Sequence, residues 1–273
     1  MTVWIKRLLL VAVFSYLVLV AIVFVIQRSF IYFPDTDPSS PLEAGLAKFE
    51  VAEISLNDIQ LNSWWHAPEQ GEPVVLLFHG NAGALRNRAF IFKDIEQMGF
   101  GLLAVGYPGY GGNAGAPSQF AMTDTARANY DWLLNRGVMP DQIVIFGASL
   151  GGGVAMTLAP EVEAAGLVLE ATFTGADDLG AQALPWLPVK LLIKDKYRNL
   201  DRATNLKMPL SWYHGTKDEV IPFEMGQKLF DAFPGEKCAT IISDGRHNDL
   251  WGRGADQVLK NSVEAFAANE LPC

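Results

Sequence analysis

The strongest pattern along the chain is an apolar run near its start. Leu8 to Ile26 carries no formal charge and is broken in polarity only by Ser15 and Tyr16. As a helix rising 1.5 Å per residue it is about 28 Å long, the thickness of a bilayer core. This predicts an uncleaved membrane-spanning helix, with a cleaved signal peptide as the rival. The run is longer than a usual signal core, and it ends in Gln27-Arg28-Ser29-Phe30 without a small-x-small cleavage pattern. Pro34 to Pro41, with its prolines, serines and aspartates, reads as a linker.

Beyond the linker the period changes. Phe49 to Leu56 and Ile59 to Trp65 flank the turn signal Asn57-Asp58 and predict an antiparallel hairpin. On such a strand Trp64 and Trp65 face opposite sides, so they cannot form one aromatic box. Val74 to Phe78 is continuously apolar, as in a strand buried on both faces. Strands and helices then alternate. Strands are predicted over Gly101 to Val105, Ile143 to Phe146, Gly166 to Leu169, Leu210 to Tyr213 and Ala239 to Ile242. Helices are predicted over Leu85 to Met98, Ser118 to Arg136, Leu150 to Leu158, Phe223 to Phe233 and Ala255 to Ala268, with Ser118 or Thr123 as cap of the second. The alternation implies right-handed crossovers and an α/β fold: a mostly parallel sheet with helices on both faces.

One interval breaks the rhythm. About forty residues separate Leu169 from Leu210, more than one crossover needs. Within it Leu184-Pro185-Trp186-Leu187-Pro188-Val189 is apolar and proline-punctuated, and it reads as a small cap inserted over the sheet's carboxyl edge at about 172–205. Two ordinary connecting helices are the alternative. The resulting division is a signal-anchor over 1–28, a linker over 29–48 and a globular domain over 49–273.

Charge adds orientation. Lys6 and Arg7 precede the apolar run, while Arg28 and then Asp35 and Asp37 follow it, so the positive-inside tendency puts the N-terminus in the cytoplasm and the domain outside it. A net charge of −9 with no basic stripe argues against a nucleic-acid partner. Cys238 and Cys273 match no metal spacing. The expectation leaves them unpaired, although an oxidising compartment would permit a disulfide.

Candidate chemistry centres on Gly147-Ala148-Ser149-Leu150-Gly151, between the apolar Ile143 to Phe146 and the small residues Gly152 to Met156. Strand, small-residue turn and helix are the setting in which Gly-x-Ser-x-Gly places a serine hydroxyl on a strained, exposed turn. A serine needs a base and a group that orients the base. His66, His79, His214 and His247 are available. Three of them fall at carboxyl ends of strands, where open α/β sheets gather their sites, so position alone does not choose. Chain order selects His247, on the last strand-to-helix loop, and Asp218, in the loop after His214. Glu219 is a close competitor of Asp218, and Asp249 lies too near His247 in sequence to orient it. Backbone N–H groups of Leu150 and Asn81 are the candidates for an oxyanion hole, with His79 holding the shape of its loop. Gly106 to Gly115 lacks the Gly-Lys-Ser/Thr ending of a phosphate loop and reads as a flexible turn.

Together these segments resemble the α/β-hydrolase superfamily, and within it a membrane-anchored branch of serine hydrolases with a His-Gly-Asn-Ala-Gly oxyanion loop. The likeness runs from about Ile31 onward. It rests on Phe30 to Pro34, Trp64 to Pro68, His79 to Gly83, Tyr107 to Gly111, Gly147 to Gly152, Thr172 to Thr174, His214 to Pro222, and His247-Asn248-Asp249 with Trp251. It implies an α/β-hydrolase fold with Ser149, Asp218 and His247 as triad, Asn81 and Leu150 as oxyanion donors, no cofactor, and carboxylic esters, thioesters or lysolipids as substrates. Ala148 stands where relatives often carry arginine, and Tyr107-Pro108 where a tyrosine-arginine pair is usual. The short linker would keep the site near the bilayer, which favours a lipid-type acyl donor. The reading from another class is a non-catalytic protein of the same fold that presents a binding surface at the membrane.

Overall fold

The structure, a computed structural model, describes residues 2–273. Met1, the first residue of the segment expected over 1–28, lies outside the described residues. The chain opens with α1 (Thr2–Ile26), which runs into a 3₁₀ turn at Gln27–Phe30. There follow β1 (Phe33–Pro34), β2 (Glu50–Leu56), β3 (Ile59–His66), β4 (Val74–Phe78), β5 (Ala82–Gly83), α2 (Ala89–Gln97) and β6 (Gly101–Ala104). Next come α3 (Gln119–Asn135), β7 (Ile143–Ala148), α4 (Leu150–Leu158), β8 (Gly166–Glu170), α5 (Ala176–Ala183), α6 (Val189–Leu192) and α7 (Asn199–Ala203). The chain closes with β9 (Leu210–Gly215), α8 (Phe223–Ala232), β10 (Lys237–Ile242) and α9 (Ala255–Ala267).

Eight strands form one sheet in the order β10-β9-β8-β7-β4-β6-β3-β2, parallel except where β3 meets β2 and β6. The central strands β4, β6, β7 and β8 are apolar at nearly every position because both faces are covered. Trp65 packs into one core layer and Trp64 into the other, as the two-residue period of a strand requires.

Two local expectations change and one alternative is settled. The helix expected from Leu85 to Met98 starts as a 3₁₀ turn at Leu85–Arg88, where Asn87 Oδ1 accepts the Ala84 N–H at 2.8 Å, and becomes α-helical only at Ala89. Ser118 caps α3 by accepting the Ala121 N–H at 3.1 Å, whereas Thr123 sits inside the helix and donates to the Gln119 carbonyl. Cys238 and Cys273 are joined, with 5.9 Å between their Cα atoms, which corrects the expectation of free thiols. The chain after α9 turns back to β10, a proximity that 35 residues of sequence separation conceal.

The segment after α1 is also not a free tether. β1 pairs in parallel with β5, Asp35 donates its N–H to the Gly83 carbonyl and accepts that of Gly111, and its carboxylate pairs with Arg86. Tyr32 and Leu46 are buried. Backbone pairing and two buried side chains outweigh the loop-like composition of this stretch.

Candidate active site

Ser149 stands between β7 and α4 with φ 54° and ψ −118°, a region that residues with a Cβ rarely occupy. The turn is held by the Ser149 N–H donating to the Glu170 carbonyl of β8 at 2.9 Å. It is tight enough to exclude side chains at its flanks. A Cβ on Gly147 would lie 2.7 Å from the Gly151 carbonyl oxygen, and one on Gly151 would run into the Phe78 carbonyl.

The sheet brings the distant partners to this turn. β4 and β8 flank β7, and β9 pairs with β10 so that Gly215 and Ile242 end side by side at the same edge. His247 Nε2 lies 3.0 Å from Ser149 Oγ, and its Nδ1 lies 2.7 Å from Asp218 Oδ2. With an acceptor at Nδ1, the proton sits there and Nε2 is free to accept from the serine hydroxyl. The Asp218 side chain is wholly buried and has four donors. Oδ1 takes the N–H groups of Val220 and Ile221, each at 2.8 Å, and Oδ2 faces both His247 and His214. Burial alone would push the Asp218 carboxyl up, but the hydrogen bonds from His214 and His247 outweigh it and hold the group well below the usual carboxylate range. The competitors are engaged elsewhere: Glu219 pairs with Arg246, and Asp249 accepts the Arg246 N–H and pairs with Arg253.

Asn81, Ser149 and Leu150 all line one cavity. Asn81 has its side-chain amide on the Ile31 carbonyl, and its own carbonyl accepts from Phe33 N–H and Tyr110 Oη. Leu150 is the first residue of α4, where N–H groups have no partner within the helix. The cavity measures about 600 Å³ and is apolar apart from these groups and Gln27; its walls include Phe24 of α1, Leu179 of α5 and Leu192 of α6. The proline-punctuated insertion therefore lies over Ser149.

His79 is buried, lies against Tyr107 with ring centroids 4.2 Å apart and the planes tilted by 35°, and meets the Gly80 carbonyl through Nδ1 at 2.8 Å. Burial, with the nearby Arg88 charge, pushes its imidazole down to about 3. His66 lies at the far edge of the sheet, stacked on Phe49.

Two residues of the site were not anticipated. His214 Nε2 is 3.0 Å from the Ile221 carbonyl and 3.1 Å from Asp218 Oδ2, so it braces the loop that carries Asp218. Glu170 ends the apolar run of β8 and accepts from Tyr213 Oη at 2.6 Å; burial raises its carboxyl, against the pull of that bond and of the nearby His247, His214 and Arg88. The available signal was an acidic residue closing a fully apolar strand. Among the described residues no cluster of His, Cys, Asp and Glu could hold a metal ion.

Comparison with known proteins matches this architecture. The family profile described as alpha/beta hydrolase fold matches residues 73–211. An uncharacterized protein of Mycobacterium tuberculosis is 34% identical over 230 residues, covering 82% of this chain and 81% of its own. The lysophosphatidylserine lipase ABHD12 of Danio rerio is 28% identical over 183 residues, 60% of this chain and 48% of its own. Among solved structures, a Pyrococcus furiosus esterase aligns with a TM-score of 0.65 at 19% identity, covering 87% of this chain and 97% of the esterase, a likeness of fold. From its sheet order, its strand-to-helix serine turn and these matches, the chain belongs to the α/β-hydrolase fold family.

Proposed function

We propose that the protein is a membrane-anchored serine hydrolase that cleaves carboxylic ester or thioester bonds, with Ser149 as nucleophile, His247 as general base and Asp218 as the group that orients it. The observation that carries this reading is the unbroken chain from Ser149 Oγ through His247 to Asp218, opening into an apolar cavity. Ser149 Oγ attacks the acyl carbonyl as its proton passes to His247 Nε2. Asp218, held ionised by its four donors, stabilises the imidazolium. The Asn81 and Leu150 N–H groups receive the oxyanion of the tetrahedral intermediate. Collapse releases the leaving group with the proton from His247 and leaves an acyl-enzyme; water, deprotonated by the same nitrogen, then releases the acid.

The anchor reading rests on α1. Its 25 residues extend about 37 Å, and its described side chains are almost all exposed and apolar, which suits a lipid surround. We assign 1–28 to the anchor and 49–273 to the catalytic domain, with a cap over about 172–205. The flanking charges favour a domain outside the cytoplasm, and the Cys238–Cys273 pair fits an oxidising compartment. An apolar cavity and a lipase relative favour a lipid-type acyl donor. Fluorophosphonate labelling of the full chain in membranes tests the assignment: wild type is labelled and Ser149→Ala is not. Labelling that persists in Ser149→Ala would overturn it.

A further inference from the structure

The cavity above Ser149 does not close within the globular part of the chain. Val20, Val23 and Phe24 of α1 and Gln27 just beyond it, at the three- and four-residue spacing of one helical stripe, line it over about 10 Å of helix. Val20 and Val23 are half-buried while Val25, on another face, is 74% exposed. The helix is fixed in this place. Arg28 Nε donates to Asp195 Oδ2 at 2.8 Å, Gln27 Oε1 accepts the Lys194 N–H at 2.7 Å, and Tyr16 Oη donates to the Trp186 carbonyl at 3.0 Å.

That last bond sets a depth. Tyr16 lies ten residues before Ile26, about 15 Å down the helix and roughly half a bilayer core. The insertion therefore reaches along α1 into the zone of one lipid leaflet, and it carries Trp186 at 53% and Leu191 at 79% exposure. Exposed apolar side chains at that level suit hydrocarbon rather than water.

We propose that α1 is a wall of the acyl-binding tunnel and that the substrate is a long-chain acyl lipid entering sideways from the leaflet. Its chain lies along Val20, Val23 and Phe24, and its ester carbonyl reaches Ser149. This rests on the serine-hydrolase reading with α1 in the membrane. Sideways transfer keeps the chain in apolar surroundings, whereas passage through water would expose every methylene to solvent. Val20 and Val23 are then specificity residues, located on a helix that composition alone assigns to anchoring.

The test uses the full chain in phosphatidylcholine nanodiscs, with a butyryl and a hexadecanoyl ester of one fluorogenic alcohol. Val20→Trp and Val23→Trp fill the tunnel, and each lowers the ratio of hexadecanoyl to butyryl turnover by about ten-fold. Val25→Trp adds the same bulk on another face and leaves that ratio within about two-fold of wild type. Phe24→Ala enlarges the tunnel instead of filling it and shifts the preferred acyl length upward, so the inference does not depend on tolerance of tryptophan. Unchanged chain-length profiles in all the tunnel variants, with Ser149-dependent hydrolysis intact, overturn the tunnel and leave the hydrolase reading standing. Absence of any Ser149-dependent hydrolysis of either ester overturns both.

Discussion

His214 Nε2 lies 3.1 Å from Asp218 Oδ2, the same oxygen that faces His247 at 2.7 Å. The carboxylate thus holds two imidazoles at once. One of them is turned toward Ser149, and the other is sealed between Trp212, Phe223 and the Ile221 carbonyl.

His214→Leu should therefore lower kcat/KM by about ten-fold, the effect of losing one hydrogen bond to a charged group, while the backbone N–H bonds of Val220 and Ile221 keep Asp218 in place. A positioning role predicts that kcat falls while KM stays near its wild-type value, because His214 touches Asp218 and lines no part of the cavity. A rise in KM with kcat unchanged would contradict it.

Ser149→Gly should abolish turnover and stabilise the fold. Relief of the strained φ of 54° is worth about 1–3 kcal/mol, against about 0.5–1 kcal/mol of added backbone entropy. A net gain near 1 kcal/mol raises Tm by roughly 2–4 °C, readable by thermal unfolding in detergent. A lower Tm would mean that the turn stores no strain.

His79 predicts an acid-side loss of stability. Its folded value of about 3 lies below the ordinary 6.5, so between these limits the unfolded chain binds a proton that the folded chain refuses. Stability attributable to this group is present above about pH 6.5 and falls as pH drops toward 3. From pH 7 to pH 5 wild type should lose about 2 kcal/mol more than His79→Asn, as measured by denaturant midpoints. Equal losses in the two proteins would contradict a buried neutral imidazole.

The Cys238–Cys273 pair closes a stretch of 35 residues that includes α9. Chain entropy predicts that Cys238→Ala with Cys273→Ala costs about 3–4 kcal/mol of stability. Wild type treated with reductant should unfold like the double variant, and an unfolding midpoint insensitive to reductant would exclude the bond.

Arg28→Ala should loosen α1 from the domain by about 1 kcal/mol, since the Arg28 side chain is 48% exposed and solvent screens part of the pair. Asp195→Ala should cost more, because Asp195 Oδ1 also accepts the Gln119 N–H at the start of α3. Limited proteolysis near Arg28 reads the first effect and thermal unfolding the second.

The sequence by itself determined the alternation of strands and helices, the long apolar helix and the identity of Ser149, Asp218 and His247 as candidates. The periodicity and the Ser149 turn are local properties, since periodicity follows from backbone geometry and a Gly-x-Ser-x-Gly turn is written in contiguous residues, whereas Asp218 and His247 followed from chain order. It could not rank Asp218 against Glu219 by chemistry, since neighbouring acids differ only in which one the loop folds inward. Only the tertiary structure decided that His214 braces Asp218, that Glu170 faces Tyr213, and that Cys238 meets Cys273, because each pair joins groups brought together by strand order or by the path of the last segment. The same holds for the segment from Phe33 to Asp35. Its proline and aspartate announce a linker, but hydrogen bonds to Gly83 and Gly111 dock it beside Asn81, and pairing partners distant in sequence leave no trace in local composition.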